Sequence, residues 1–270
     1  MKKDVKLIIC DIDNTLRSYP DPMSQFMINT MNEIHERGIL FGLASGRPVD
    51  DIIGSIQPWN LTFKPDVVIG MNGCEIWDEK DQTLTTTDLL DQQTLQEIME
   101  LMKGIPTYPR IYQDGAIKGI PGDPMIDMSA KKVGRRVDTC DTIDEFWKEE
   151  NAKIMFFCEP EHFEEVKEYC LAHQSEKYIA FQTGPILMEM CSPNATKGNG
   201  LKKYVEKYNI PLDLVMSFGD TSNDNSMLEI TYGVCLLNGS EDTKAVAKEI
   251  TEFTCKESGF AHYIHDHLFD

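Results

Sequence analysis

Four apolar runs punctuate the chain, and each stops at a polar cluster. Residues 5–10 end at Asp11, and residues 39–44 end at Ser45-Gly46-Arg47. Residues 67–69 end at Gly70-Met71-Asn72-Gly73, and residues 214–218 end at Gly219-Asp220-Thr221-Ser222-Asn223-Asp224. Such short runs of mostly apolar residues predict strands buried in a parallel sheet. Between the first two runs, Met23, Phe26, Met27, Met31 and Ile34 recur at helical spacing. Pro22 falls near the predicted first turn of that helix, and Gly38 supplies its stop. Strand, helix and strand in that order imply an α/β fold with a doubly wound parallel sheet. Its strand ends would then bring Asp11, Ser45, Asn72 and Asp220 to one rim.

From about residue 79 to residue 185 this rhythm breaks. Gly104, Gly115, Gly119, Pro121-Gly122 and Pro124 set turns close together, and Thr94-x-x-Glu97 and Thr142-x-x-Glu145 read as capping boxes that open helices. Residues 153–158 and 178–181 read as strands, with a helix between them carrying Phe163, Val166 and Cys170 on one side. A segment of roughly a hundred residues with its own helices and strands can build an independent core. The expected organisation is a discontinuous core, residues 1–82 and 188–270, interrupted by an inserted α+β domain at residues 83–187. Linkers are expected near 79–84 and 184–190.

Composition adds constraints. The formal net charge of −19 argues against nucleic acid or an anionic membrane as partner. A phosphorylated substrate would have to be held by local cations and a metal against that field. The eight cysteines contain no C-x-x-C pair and sit mostly among apolar residues, which predicts reduced thiols and a cytoplasmic location. No signal peptide is read after Met1-Lys2-Lys3, and no window approaches the ~20 apolar residues of a membrane span. His262, His265 and His267 read as a solvated terminal segment rather than a metal site. Lys131, Lys132, Arg135 and Arg136 read as an exposed charged face. The sharper alternative is that part of this cluster, with Arg110 or Lys118, meets an anionic substrate.

The densest chemistry lies in Asp11-Ile12-Asp13-Asn14-Thr15-Leu16. Side chains two apart on extended backbone share a face, so Asp11 and Asp13 project together at the strand end, where open α/β sheets place ligands. Two carboxylates about 4 Å apart repel by roughly 4 kcal/mol at an effective dielectric near 20. Keeping both charged calls for a cation, and oxygen ligands favour Mg²⁺. An EF-hand loop is excluded, because its sixth position is Leu16 rather than Gly and its twelfth is Pro22 rather than Glu. One carboxylate can attack phosphorus, and the second can protonate the departing alkoxide and later accept a proton from water. Ser45 offers a hydroxyl and Lys197, near a helix start, an ammonium for the phosphoryl oxygens. Asp220 completes the metal site, and Asp224 can orient Lys197 or a metal-bound water.

These segments resemble the four motifs of the haloacid dehalogenase-like hydrolases. Asp11-Ile12-Asp13-Asn14-Thr15-Leu16 is similar to motif I, Ser45-Gly46-Arg47 to motif II, Lys197-Gly198 to motif III, and Gly219-Asp220-Thr221-Ser222-Asn223-Asp224 to motif IV. The long insertion between motifs II and III resembles the type IIB cap of the Cof-type sugar phosphatases. The resemblance implies a Rossmann-like core, Mg²⁺, and hydrolysis of a small phosphorylated metabolite. It makes Asp11 the nucleophile and Asp13 the general acid/base. It gives phosphoryl contacts to Ser45, Gly46 and Lys197, and the lining of the phosphate pocket to Asn72 and Gly73. It gives the metal to Asp11, the Asp13 carbonyl and Asp220, with Asn223, Asp224 and Arg47 in support. The chain departs from the family at Asn14, where Gly is common, at Thr221, and at Leu236-Leu237-Asn238-Gly239.

Two alternatives stay open at this level. A phosphomutase also uses a phosphorylated aspartate, but its intermediate must resist water. A non-enzymatic, receiver-like phosphoacceptor domain also groups Asp, Ser and Lys around a parallel sheet, but is about half this length and carries its acidic pair and phosphorylated Asp on different strands. The substrate and the oligomeric state are not encoded legibly.

Overall fold

The computed structural model describes residues 4–18 and 21–269. In chain order the elements begin β1 (Leu7–Cys10), α1 (Gln25–Glu36), β2 (Leu40–Ala44), α2 (Val49–Ile56), β3 (Val67–Gly70), β4 (Glu75–Asp78) and β5 (Thr83–Thr86). There follow α3 (Gln92–Leu101), β6 (Tyr108–Gln113), β7 (Ala116–Gly119), α4 (Ile126–Val133), β8 (Arg136–Thr139), β9 (Lys153–Phe157), α5 (Phe163–Ala172), β10 (Ile179–Gly184) and β11 (Leu187–Cys191). The chain closes with α6 (Lys197–Lys207), β12 (Val215–Gly219), α7 (Asn225–Leu228), β13 (Tyr232–Cys235), α8 (Glu241–Val246), β14 (Glu249–Ile250) and α9 (Gly259–Ile264).

Two compact units emerge, Met1–Thr87 with Thr196–Asp270, and Asp88–Ala195. Their divisions fall later than the expected 82/83 and 187/188, and strand pairing is the reason. β5 is the hairpin partner of β4. Residues 184–190, expected as a linker, instead lie in the β10–β11 hairpin, whose second strand also pairs with β9.

In the first unit the sheet runs β14-β13-β12-β1-β2-β3-β4-β5. The strands from β14 to β3 are parallel, and β4 and β5 extend them as an antiparallel hairpin. β1 shows how sequence produces the layering. Ile8 and Cys10 join the core formed with α1, α2 and α9, while Leu7 and Ile9 join the core formed with α6 on the other face. Strand alternation thus serves two buried faces, and all four residues are fully buried. Counted along the chain, the parallel strands have the spatial order 3-2-1-4-5-6. The winding reverses between β1 and β12, which opens a crevice at their carboxyl ends. α1 begins later than the sequence predicts: Ser24 is extended and its hydroxyl accepts the Met27 N–H, so Pro22 precedes the cap.

In the second unit the sheet order is β10-β11-β9-β6-β7-β8, antiparallel except for β7 with β8. Leu95 and Ile98 of α3 and Phe163, Val166 and Cys170 of α5 pack with Ile111, Ile154, Phe156, Met188 and Met190 of the sheet. Thr94 does not cap α3; Asp91 does, with its carboxylate accepting the Thr94 N–H at 2.7 Å. Thr142 and Glu145 form the expected reciprocal box, but it opens a 3-10 turn, Ile143–Trp147. Alternation places Arg110 and Lys153 on the sheet face opposite Ile111 and Ile154. Both are buried and paired. Arg110 grips Asp123 through Nε and Nη2, each at 2.6 Å, and the Lys153 Nζ lies 3.0 Å from both oxygens of Glu189.

Candidate active site

β1 and β12 deliver Asp11 and Asp220 to the crevice. Cys10 pairs with both Phe218 and Leu43, so Asp11 sits level with the ends of β12 and β2. The Asp11 N–H continues the ladder to the Phe218 carbonyl at 2.9 Å. Lys197 opens α6, whose cap Thr196 accepts the Asn199 N–H. The fully buried Lys197 ammonium lies 2.6 Å from Asp11 Oδ1 and 2.6 Å from Asp224 Oδ1. Asp224 is held from its other oxygen, which accepts the N–H groups of Asp220 and Thr221 at 3.0 and 3.1 Å. Thr221, where the chain departs from the family, closes this capping box with its own side chain. Gly219 makes room for it, since a Cβ there would run into the Asp224 carboxyl group.

The phosphoryl-binding candidates lie on adjoining turns. Ser45 donates its N–H to Ile69 and accepts the Asn72 N–H on its carbonyl at 3.1 Å, which ties the ends of β2 and β3 together. Met71, Asn72 and Gly73 all take positive φ, at 49°, 54° and 109°. Gly73 is demanded twice over, because a Cβ would also strike the Thr196 carbonyl just ahead of Lys197. A Cβ built on Gly46 would stand 3.2 Å from Asn72 Oδ1. That oxygen is buried and has no hydrogen-bond partner among the described residues, the kind of orphan that a ligand contact would satisfy.

One oxygen each from Asp11, Asp220 and Asp224 lie within 4.8 Å of one another. Burial is the largest cause of the shift at Asp11, which is pushed up to about 8 against the pull of Lys197. Burial and then the Asp224 charge push Asp220 up to about 7. At Lys197 burial acts to lower the pKa, but the charges of Asp11 and Asp224 more than offset it and the net shift is upward. Three carboxylates against one ammonium leave an excess of buried negative charge. A set of oxygen donors carrying that excess fits a hard divalent cation such as Mg²⁺.

Asp13 behaves differently from the other acids. It is half-exposed, and its carboxylate oxygens pair with Arg17 at 2.9 Å and Arg47 at 2.5 Å. Its side chain is therefore outside the carboxylate trio. Asn223 also stays outside: it is exposed, and its Oδ1 accepts the Thr221 hydroxyl. Arg110 and Lys118, weighed as contacts for an anionic substrate, are already engaged by Asp123 and Glu145. The C-terminal histidines are not part of a solvated tail. His262 stacks on Phe253 and His267 on Tyr263, while the neighbouring Phe260 and Ile264 enter the core.

Sequence reasoning gave no supporting role to Thr15 or Asn238, whereas the unusual turn it allowed at Asn14 is present. The buried Thr15 hydroxyl donates to Asp220 Oδ1 at 2.9 Å; its place two residues beyond Asp13 was the available signal. Asn14 takes φ 65°, which explains a residue tolerant of left-handed backbone there. Asn238, in the departing C-terminal segment, donates to the Asn14 carbonyl at 2.9 Å and so braces the same turn.

The chain is similar along nearly its whole length to known proteins. A Bacillus subtilis protein named phosphatase YwpJ is 26% identical over 285 residues, covering 96% of this chain and 98% of its own length. A solved haloacid dehalogenase-like hydrolase from Bacteroides thetaiotaomicron shares the fold with a TM-score of 0.83 at 24% identity, covering 97% of this chain and 99% of that one. A solved HAD subclass IIB sugar phosphatase superposes with a TM-score of 0.79 at 22% identity, covering 97% and 98%. The model of the haloacid dehalogenase-like hydrolases matches residues 8–264. With nearly its whole length spanned by that match and its strand ends assembled around Asp11, the chain belongs to the haloacid dehalogenase-like hydrolases.

Proposed function

We propose that this hydrolase is a Mg²⁺-dependent phosphatase of small phosphate monoesters, sugar phosphates or related metabolites, working through an aspartyl phosphate. The observation that carries the reading is the Lys197 ammonium, 2.6 Å from both Asp11 and Asp224, with the Asp220 carboxylate alongside. Asp11 and Asp220, with the Asp13 carbonyl, would hold the ion, which would supply positive charge against the phosphoryl oxygens and favour an ionised Asp11.

An Asp11 carboxylate oxygen forms a bond to phosphorus as the phosphorus–ester oxygen bond breaks and its electron pair goes to the departing oxygen. Asp13 gives that oxygen its proton. In the second half Asp13 takes a proton from water, whose oxygen attacks the same phosphorus and frees phosphate and Asp11. Ser45, Gly46, Asn72, Gly73 and Lys197 receive the non-bridging oxygens.

Eight buried free thiols support a reducing, cytoplasmic setting, and no helix among the described residues is long and apolar enough to cross a membrane. The test is release of phosphate from p-nitrophenyl phosphate with Mg²⁺. Asp11→Asn should abolish it, and full turnover by that variant would remove the nucleophile and the mechanism with it.

A further inference from the structure

We infer that Arg17 is a positioning residue for Asp13, fixing the carboxyl group that must both give and take a proton. The inference rests on the acid/base reading of Asp13 just proposed. Each carboxylate oxygen has its own guanidinium: Oδ1 meets Arg17 Nη2 at 2.9 Å, and Oδ2 meets Arg47 Nη2 at 2.5 Å. The two arginines come from different places, Arg17 from the same turn four residues on and Arg47 from the end of β2. They hold the carboxyl plane from two points.

Arg17 is set up for this task by the backbone around it. The N–H groups of Leu16 and Arg17 both donate to the Ile12 carbonyl, at 3.0 and 2.9 Å, and the Asn14 N–H donates to the Arg17 carbonyl at 2.7 Å. The turn closes in a bridge between Asp13 and Arg17, and Asn238 pins it from outside at Asn14. The Arg17 side chain is 16% exposed against 40% for Asp13. The guanidinium is thus the better buried partner, unlike the long solvated arginine of an ordinary surface pair.

A group that serves two oxygens in turn must stay within about 2.6–3.2 Å of each. Without Arg17, the Asp13 carboxyl keeps one anchor at Arg47 and can swing about it. A misplacement of about 1 Å can cost about a hundredfold in rate, without loss of the phosphoryl-binding groups.

A double-mutant cycle on p-nitrophenyl phosphate turnover with Mg²⁺ separates positioning from scaffolding. In the otherwise native protein, Arg17→Leu should lower kcat at least about tenfold, with KM changed by less than about twofold. Arg17→Lys, which keeps a point charge but not the planar fork, should recover part of the loss. In an Asp13→Asn background, Arg17→Leu should cost less than about twofold, because the group it positions is already disabled. Melting of Arg17→Leu should stay within about 3 °C of the parent. If that variant does not fold, Arg17→Gln takes its place in both arms. Equal losses in the two backgrounds, or no loss in the first, would overturn the inference and leave Asp13 as acid/base intact. Unchanged turnover in Asp13→Asn alone would remove the acid/base reading itself.

Discussion

Both units of this protein bury charge, but they balance it differently. Among the described residues of Asp88–Ala195 the buried cations are paired with an anion each: Arg110 with Asp123, and Lys153 with Glu189. At the rim of the first unit, Lys197 faces Asp11 and Asp224 with Asp220 close by, three acids to one base. A neutral buried pair is self-sufficient and needs nothing further from its surroundings. At the unbalanced cluster burial, and after it the repulsion from Asp224, raises the pKa of Asp11 and Asp220, a cost that a further cation would offset. Charge balance therefore separates the paired ions of the second unit from the proposed site.

Breaking each arrangement should give a different symptom. Lys197→Met should reduce phosphate release by about 10³-fold or more, through lost stabilisation of phosphoryl charge, measured as kcat/KM for p-nitrophenyl phosphate. Asp123→Asn should act on stability instead, costing about 3–5 kcal/mol in urea unfolding of the second unit because Arg110 is left buried and unpaired. Replacing both partners, Arg110→Met with Asp123→Leu, should recover most of that loss. A single-mutant cost below about 1 kcal/mol would contradict the pairing.

Mg²⁺ should stabilise only the unbalanced site, by about 2.7 kcal/mol at a hundredfold excess over its dissociation constant. Calorimetry with and without EDTA would detect this, and Asp220→Asn should erase it. The smallest effect belongs to the partly buried Lys118–Glu145 pair. The Lys118 hydrogen bond, with the Asp141 and Thr142 N–H groups, holds Glu145 down to about 2 from an ordinary 4.5. Its contribution is fully present above pH 4.5 and is lost as pH falls toward 2. Lys118→Met should flatten the acid limb of the second unit's stability in that window.

The sequence made the rim legible because strand ends announce themselves. Asp11, Ser45, Asn72 and Asp220 each follow an apolar run, and a parallel sheet leaves such ends little choice of location. Arg17 and Asn238 were hidden because their roles depend on which way a turn faces, not on residue type or spacing. The antiparallel pair β4 and β5 was also hidden: β5 is exposed throughout, so it carries no hydrophobic period to detect. Local capping misled in the same way at Thr94, where Asp91 three residues earlier offered a competing cap.

The position of β1 between β2 and β12 carries a consequence for biosynthesis. Thr15 waits for a partner 205 residues away at Asp220. At roughly 5–20 residues per second of translation, that separation amounts to about 10–40 s. Once β2 and β3 have been made, the growing polypeptide holds β1 with one edge still lacking its neighbour. The insertion of Asp88–Ala195 lengthens that wait, so the reaction centre can close only after most of the message has been read.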